Sequence, residues 1–423
     1  MSPESVEPHA QLETSVDRTL IPPGEPAQRF ALLILHAPDS GEGAAHPPLN
    51  LSLVVDRSGS MSGDKLKFAK EACQHALRLL HEADRVSLVI YDDEVEILAP
   101  SQPATARVRE DLMRRLRDVR SGASTDLHGG WEAGCGQVSE HHGNAYVNRV
   151  LLLTDGLANV GIVDQEDVVS RVKAQRRGGV STTTFGVGED FNQFLLQGMA
   201  DNGGGHFYFI EKPDQIAAYF KNELGEMLTI TARELLLEIG IPSGFSLDLL
   251  NDLPHEAGAG TYRADLGDAS AGEVRTLALR IGVPASDLHS EIHLPVRVVY
   301  TDAAGQAVEL SGPVLSFLVA SAGACEEQPT DETVLLEAGR LLAERAKTQA
   351  LAYLYKDERA AARGALEEVI ATLQKMLPAE LAAPLVRELE ELLQRTDDQL
   401  LMDAHEAKLR HHTSYRAQHS RKI

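Results

Sequence analysis

The sequence predicts an α/β protein: a doubly wound, mostly parallel sheet that is inserted in or followed by a β-sandwich, with a helical region at the C-terminus. Over 51–228, strands that are apolar on both faces alternate with amphipathic helices, a pattern typical of parallel sheets covered by helices. Over 229–320, short strands are separated by Gly, Pro and Asn, which favours an antiparallel sandwich. Over 330–410 the apolar spacing is helical, which indicates a hairpin or small bundle.

The α/β segment is defined by two apolar runs, 51–55 and 150–154, which end directly before Asp56 and Asp155. Runs of this kind suit strands that are buried in a parallel sheet. Further strands are predicted over 86–91, 95–98, 180–187 and 206–210, and helices over 64–81, 107–119, 164–177, 191–200 and 213–228. This alternation predicts right-handed crossovers within one sheet.

The flanking segments carry weaker patterns. Residues 1–28 are rich in proline and acidic residues, so we expect a loose N-terminal segment, whereas the apolar run within 29–50 predicts a strand that joins the sandwich. That topology would insert the α/β domain into the sandwich. Sandwich strands are predicted over 234–239, 245–250, 262–266, 274–283, 292–300 and 307–319. The helical pattern is interrupted at Pro378 and Pro384, and 411–423 forms a basic tail.

Composition limits the classes of function. The 423 residues carry a formal net charge of −23, which argues against nucleic-acid binding driven by phosphate neutralisation. Cys73, Cys135 and Cys325 lie far apart without paired spacing, so neither a disulfide framework nor a zinc site is expected. No run approaches the roughly 20 apolar residues of a membrane span, and the N-terminus lacks the features of a secretory signal. We therefore expect a cytoplasmic protein.

Three segments offer hard oxygen ligands at the predicted carboxyl edge of the sheet. Asp56, Ser58 and Ser60 form an Asp-x-Ser-x-Ser sequence after one buried strand, Thr125 lies in the segment SGASTDL, and Asp155 follows another buried strand. Ligands of open α/β sheets bind at this edge. Carboxylate and hydroxyl oxygens suit Mg²⁺, or alternatively Mn²⁺ or Ca²⁺. The three segments together predict a divalent-metal site.

The stretches LVVDRSGSM, SGASTDL and LLLTDGLANVG, in that order, resemble the signature segments of the von Willebrand factor A domain and its metal-ion-dependent adhesion site. The resemblance spans roughly 51–228, and no motif residue is missing. It implies that Ser58 and Ser60 ligate the ion directly and that Asp56 and Asp155 act directly or through water. Thr125 would join the ion in the ligand-bound arrangement.

The resemblance is to bacterial A-domain proteins with a flanking sandwich and C-terminal helices, and it implies a metal-dependent protein–protein interaction module. A partner protein would supply an Asp or Glu carboxylate, and an AAA-type ATPase or another component of a multi-protein assembly is the expected kind of partner. We expect the partner to contact loops around a set of residues beside the motif: Arg57, Met61, Ser124, Asp126 and Gly156.

Two alternatives remain open from the sequence. In the first, the protein is a scaffold whose metal is structural. In the second, it is a metal-dependent hydrolase, which would need a general base. The candidates His128, His141 and His142 lie in no metal motif. The sequence contains neither a nucleophile elbow nor a Walker motif, and the phenylalanine at position 191 breaks a dinucleotide-binding fingerprint. We therefore predict a protein that is not an enzyme.

Overall fold

A computed structural model describes residues 10–39, 47–143, 145–188, 190–258, 260–397, 413 and 421–422. It contains an α/β domain with a mostly parallel sheet, antiparallel sheets that form a sandwich, and C-terminal helices. The predicted fold class is therefore confirmed. Among the described residues, no helix combines the length and apolarity that crossing a bilayer requires.

In the described part of the N-terminal segment, the strands that precede the α/β domain are β1 (Gln11–Val16), β2 (Leu20–Ile21) and β3 (Ala27–His36). β1 pairs antiparallel with β3 along its whole length. The expectation that 1–28 is loose is therefore wrong for β1, because backbone pairing and burial of Leu12 stabilise a strand of polar composition. Residues 1–9 lie outside the described residues.

The α/β domain has one six-stranded sheet. Its strands are β4 (Leu49–Asp56), β5 (Arg85–Tyr91), β6 (Val95–Pro103), β7 (Val147–Thr154), β8 (Ser181–Val187) and β9 (Gly204–Ile210). They lie in the order β6-β5-β4-β7-β8-β9, and β6 alone runs antiparallel to its neighbour. The direction of winding reverses between β4 and β7, which is the position where open α/β sheets bind ligands.

Among the described residues, the helices that cover this sheet are α1 (Asp64–Leu79), α2 (Ala106–Asp118), α3 (Leu127–Ser139), α4 (Gln165–Arg177), α5 (Gln193–Asn202) and α6 (Ile216–Leu228). One apolar core joins the sheet to α1, α2 and α6, and a second core on the opposite face joins it to α3, α4 and α5. Both faces of the central strands are therefore buried, which accounts for their continuous apolar sequences.

The chain then returns to the sandwich with nine strands: β10 (Ile230–Gly240), β11 (Ser246–Leu249), β12 (His255–Gly258), β13 (Thr261–Ser270), β14 (Val274–Val283), β15 (Glu291–Leu294), β16 (Val296–Asp302), β17 (Ala307–Ser311) and β18 (Leu315–Val319). β3 pairs with β14 over ten residues, so the α/β domain is inserted between β3 and β10. The predicted strands 292–300 and 307–319 are each split in two, by Pro295 and by Gly312 with Pro313, because proline cannot donate to the ladder.

The C-terminal helices are α7 (Ala322–Glu327), α8 (Glu332–Tyr355), α9 (Arg359–Met376) and α10 (Ala379–Asp397). Pro378 directly precedes α10, whereas Pro384 lies inside it. The predicted interruption at Pro384 is therefore wrong, because burial of Leu389 and its neighbours among α8 and α9 outweighs a proline cost of about 3 kcal/mol. Most of the basic tail 411–423 lies outside the described residues, but β19 (Arg421–Lys422) pairs with β14.

A buried ionic cluster joins the α/β domain to the sandwich. Arg149 on β7 donates to Glu223 on α6 across 2.9 Å and also pairs with Asp268 on β13. Arg176 at the end of α4 makes a second pair with Asp265 on β13 at 2.9 Å. These contacts fix the inserted domain against one sheet of the sandwich.

Candidate functional site

The candidate site lies at the carboxyl edge of the six-stranded sheet, where β4 and β7 are neighbours. β4 ends at Asp56, and Asp155 directly follows the last residue of β7. Both carboxyl side chains are fully buried. Adjacent parallel strands end at one edge, so the two apolar runs that the sequence places before these aspartates bring the two side chains together.

Hydrogen bonds connect four of the predicted ligands. After β4 the chain makes a short 3₁₀ turn, Gly59–Met61, and the Ser58 amide donates to Asp56 Oδ1 at 2.7 Å. The hydroxyls of Ser58 and Ser60 lie 3.1 Å apart. Ser60 Oγ donates to Asp155 Oδ1 at 2.8 Å. The first and third sequence segments therefore meet through their side-chain oxygens.

The segment that carries Thr125 is held against the same loop by its backbone. The Gly59 amide donates to the Ala123 carbonyl at 2.8 Å, and the Gly122 amide donates to the Arg57 carbonyl at 2.6 Å. The Thr125 amide donates to Asn159 Oδ1 at 2.8 Å. The threonine is thus anchored from both sides, by the loop after β4 and by the loop after β7.

Side-chain oxygens of the predicted ligands converge on the space beside the Cα atom of Gly156. A methyl group on its Cα would lie 3.4 Å from Thr125 Oγ1, 3.5 Å from Ser60 Oγ and 3.9 Å from Asp56 Oδ2. Oxygens from two segments thus surround one point, and Asp155 of the third segment accepts a hydrogen bond from Ser60; we call this group of oxygens the oxygen cradle. It consists of Asp56, Ser58, Ser60, Thr125 and Asp155. A side chain at 156 would enter this space, so glycine keeps it accessible to an ion.

The chemistry of the oxygen cradle fits a hard divalent cation. Two carboxylates and three hydroxyls are the donor types that Mg²⁺, Mn²⁺ and Ca²⁺ accept, and the cradle contains no sulfur or imidazole ligand. Burial raises the pKa of Asp56 to about 6, against the lowering effect of hydrogen bonds from Ser58 and Thr154. A bound cation would supply the opposite charge that this buried carboxyl group lacks.

Lys65 and two other polar residues support the cradle. The Lys65 ammonium group, on the first turn of α1, pairs with Asp155 Oδ2. Thr154 Oγ1 donates to Asp56 Oδ2 at 2.6 Å, and Asn159 holds Thr125 as described above. The sequence pattern did not indicate these residues. Thr154 and Asn159 lie inside the segment LLLTDGLANVG, but their side-chain directions depend on how the loops pack.

The residues around which we expect partner contacts differ in their burial and in their contacts within the protein. Met61 is fully buried in the core beneath α1, so its side chain is not at the surface, and partner contact with the loop around it stays a prediction. Its apolar side chain packs inward from the 3₁₀ turn. Arg57 is paired with Asp92 at 3.2 Å, and Asp126 caps α3 by accepting from the Gly129 amide at 2.9 Å. Beside Gly156, the side chain of Leu157 is 51% exposed. The sequence pattern did not indicate this exposed apolar side chain as a possible partner contact.

None of the three candidate histidines lines the cradle. His142 packs against Gly179, before β8 begins, and both His141 and His142 precede β7. They lie at the amino edge of the sheet, and β7 has eight residues at ~3.3 Å each, so roughly 25 Å separates them from the cradle. His128 is buried against Trp131, with ring centroids 5.9 Å apart. Among the described residues, no hydrogen bond joins one of these three histidines to the cradle.

A second cluster of possible metal ligands is explained by its protein contacts. His206, Glu223 and Glu226 could place ligand atoms within 4.8 Å of one another. However, Glu223 accepts from Arg149 at 2.9 Å and from Thr183 at 2.7 Å on one oxygen. Its other oxygen meets His206 Nδ1 and the Tyr208 hydroxyl, each at 2.8 Å. These contacts already satisfy the carboxylate, so we assign this cluster to domain packing.

Comparison with known proteins supports the domain assignment. A family model described as von Willebrand factor type A domain matches residues 50–222. YfbK of Escherichia coli, described as an uncharacterized protein, is 30% identical over 195 residues, which cover 46% of this chain and 34% of YfbK. The chain thus spans about a third of that relative. The protein sll0103 of Synechocystis is 25% identical over 338 residues, covering 77% of this chain and 78% of sll0103.

The same architecture occurs in a solved structure. The protein described as von Willebrand factor type A from Catenulispora acidiphila superimposes with a TM-score of 0.75 at 16% identity, over 97% of this chain and 98% of that chain. At this identity the likeness shows a shared fold. It extends beyond the α/β domain to nearly the whole chain, including sandwich and helices.

Proposed function

This chain contains a von Willebrand factor type A domain, and we propose that the domain binds a partner protein through a divalent cation held in the oxygen cradle. Domains of this family generally mediate protein–protein interaction. Here Ser58 and Ser60 would ligate the cation directly, Asp56 and Asp155 directly or through water, and Thr125 in the partner-bound arrangement. Mg²⁺, Mn²⁺ or Ca²⁺ fits the donor set. A partner's Asp or Glu would complete the coordination.

The observation that carries this proposal is the convergence of oxygens above Gly156. Thr125, Ser60 and Asp56, from two separate segments, place side-chain oxygens within 4 Å of one point, and Asp155 of the third segment accepts a hydrogen bond from Ser60. The surrounding residues support the cradle by hydrogen bonds, and no candidate general base lines it. This arrangement favours coordination of an ion and an external ligand over activation of water.

We propose that this interaction takes place within a multi-protein assembly in the cytoplasm, for example beside an AAA-type ATPase. The C-terminal helices α8, α9 and α10 form a core of their own against β3 and β14. The remaining surface of these helices could therefore contact further assembly components while the cradle is occupied.

A scaffold in which the metal is structural is the second candidate. The contacts that favour it are the cross-loop bonds, such as Ser60 to Asp155, because a cation in the cradle would reinforce the same loops. Circular dichroism in EDTA separates the two: the scaffold requires unfolding of the domain when the cation is removed, whereas an adhesion site requires a folded domain that has lost its partner.

The direct test is capture of partner proteins by the immobilised full chain in Mg²⁺ and in EDTA, with Thr125→Ala as the matched variant. We expect partners that are retained only by the unsubstituted protein in Mg²⁺. Thr125→Ala removes one ligand oxygen and leaves the backbone anchors of that loop in place, so the variant should remain folded. Partners retained equally in all conditions would contradict the proposal.

A further inference from the structure

A groove lies next to the oxygen cradle, between α1 and the segment that follows α2. Its volume is about 440 Å³. Four cationic side chains line it, and we call it the basic groove, defined by Lys67, Lys70, Arg117 and Arg120. Lys67, Arg117 and Arg120 are exposed, and Lys70 is half-buried. The groove is therefore a positively charged surface that a ligand in solution can reach.

The charge of the basic groove is opposite to that of the protein as a whole. The chain carries a formal charge of −23, whereas Glu71 is the acidic residue on the groove lining, against four cations. Asp118, at the end of α2, offsets part of the charge of Lys70. The basic groove therefore attracts anionic ligands, whereas the acidic surface of the rest of the molecule repels them.

Two of the four cations of the basic groove are positioned by carbonyl groups. Lys70 Nζ donates to the Val119 carbonyl at 2.8 Å and to the Arg117 carbonyl at 3.2 Å. Arg120 donates to the same two carbonyls at 3.3 and 3.0 Å. Within the described part of the chain, no ion pair joins Lys67, Lys70, Arg117 or Arg120 to a carboxylate. Their charge is therefore available to an external anion.

The basic groove is lined in part by the two loops that also carry residues of the oxygen cradle. Gly63 and Ser121 line the groove; they lie three residues after Ser60 and four residues before Thr125. The bond between the Gly59 amide and the Ala123 carbonyl, 2.8 Å long, holds these two loops together. A bound polypeptide segment that reaches the cradle can therefore continue into the groove.

We infer that the basic groove receives an acidic segment of the partner, a run of Asp and Glu residues, one of which completes the coordination of the cation in the cradle. This inference rests on the proposed function and names the chemistry of its partner. Glutamate and aspartate are favoured over phosphate-bearing ligands because one group must be a carboxylate that fits the cradle. Charge attraction over a Debye length of about 8 Å also opposes the repulsion by the acidic surface.

The probe is a fluorescein-labelled hexaglutamate peptide, whose binding to the full chain is followed by fluorescence anisotropy at low salt, in Mg²⁺ and in EDTA. The groove variant is Arg117→Glu/Arg120→Glu. The matched control is Arg171→Glu/Lys173→Glu, which makes the same change in net charge at exposed positions of α4, on the opposite face of the sheet. Thr125→Ala reports on the cradle, and thermal unfolding verifies that every variant is folded.

We expect the groove variant to lose at least tenfold in affinity in both Mg²⁺ and EDTA, while the control changes by less than threefold. Mg²⁺ should strengthen binding, and Thr125→Ala should remove that increment alone. Equal affinities of groove variant and control, or no peptide binding by the unsubstituted chain, would overturn the inference. Tighter binding of a single-stranded oligonucleotide with six charges would overturn the assignment to carboxylates.

The two proposals fail in different ways in this experiment. If binding is lost in the groove variant but is identical in Mg²⁺, in EDTA and in Thr125→Ala, the groove binds acidic segments and the metal-dependent function is contradicted. If the Mg²⁺ increment depends on Thr125 and the groove variant equals its control, the metal-dependent function stands and the groove inference is contradicted.

Discussion

Two clusters of buried charged residues contact the six-stranded sheet. They differ in how completely their carboxylates are paired with cations of the protein. At the junction with the sandwich, Glu223 and Asp268 surround Arg149, and His206 and Tyr208 contact the remaining oxygen of Glu223. At the carboxyl edge, the oxygen cradle holds two buried carboxyl groups. Lys65 pairs with Asp155, while the described residues contribute only hydroxyl and amide donors to Asp56.

The electrostatic consequences differ accordingly. Burial alone would raise the pKa of Glu223, but His206, Arg149 and Thr183 together lower it below its ordinary value. Burial raises the pKa of Asp56 to about 6, because its hydrogen bonds do not compensate for lost hydration. Charges that are paired within the protein hold two domains together, whereas a buried carboxyl group without a cation is the arrangement expected at a binding site.

The largest effect should follow from breaking the junction cluster with Arg149→Met. Two buried carboxylates would lose their common cation, and removal of one partner from a buried pair costs about 3–5 kcal/mol of unfolding free energy. Urea denaturation measures this loss. Arg114→Met is the matched control, because Arg114 is exposed and pairs with Asp111 on the surface of α2; its cost should be below about 1 kcal/mol. Equal costs would contradict the assigned role of the junction cluster.

The second effect is stabilisation by metal. A divalent cation at one hundred times its dissociation constant should stabilise the folded chain by about 2.7 kcal/mol, which thermal unfolding in Mg²⁺ against EDTA detects. Asp56→Asn should abolish this difference, since it removes a charged ligand while keeping an oxygen that accepts from the Ser58 amide. Stabilisation of the variant by Mg²⁺ to the same extent would place the ion elsewhere.

The third effect concerns Lys65. Its ammonium group pairs with Asp155 and would repel an incoming cation; unit charges 4 Å apart interact by about 1–4 kcal/mol at intermediate to high dielectric constants. We expect Lys65→Met to bind Mn²⁺ at least ~10-fold more tightly, about 1.4 kcal/mol, by calorimetric titration. The variant should also be less stable than the unsubstituted chain in EDTA. Unchanged Mn²⁺ affinity would mean that Lys65 plays no part in metal binding.

The smallest effect is a change in acid sensitivity. Because the pKa of Glu223 is lowered in the folded protein, its carboxylate contributes stability above pH 4.5 that is lost as the pH falls towards the folded value. Glu223→Gln should therefore reduce the slope of unfolding free energy against pH below 4.5, by at most about 1.4 kcal/mol per pH unit. Urea denaturation at a series of pH values measures it, and parallel slopes for both proteins would contradict the prediction.

The central α/β pattern was predictable because its causes are local. Apolar runs such as 51–55 and 150–154 indicate strands with two covered faces, and the spacing of apolar residues indicates the helices around them. The edge strand β1 was not predictable, since its polar composition resembles a loop and its stability comes from pairing with β3. The apolar pattern also concealed the residues that divide two sandwich strands, Pro295 and Gly312.

By itself, the sequence determined the α/β architecture and indicated the five residues of the oxygen cradle, because periodicity, strand-end position and the resemblance of three segments are written in consecutive residues. Only the tertiary structure decided what those donors lie beside. Met61 turns inward, Lys65 reaches Asp155 from α1, and the basic groove arises where α1 meets the segment after α2, about fifty residues along the chain. Charges interact through space, so their pairing or exposure depends on which elements the fold makes neighbours.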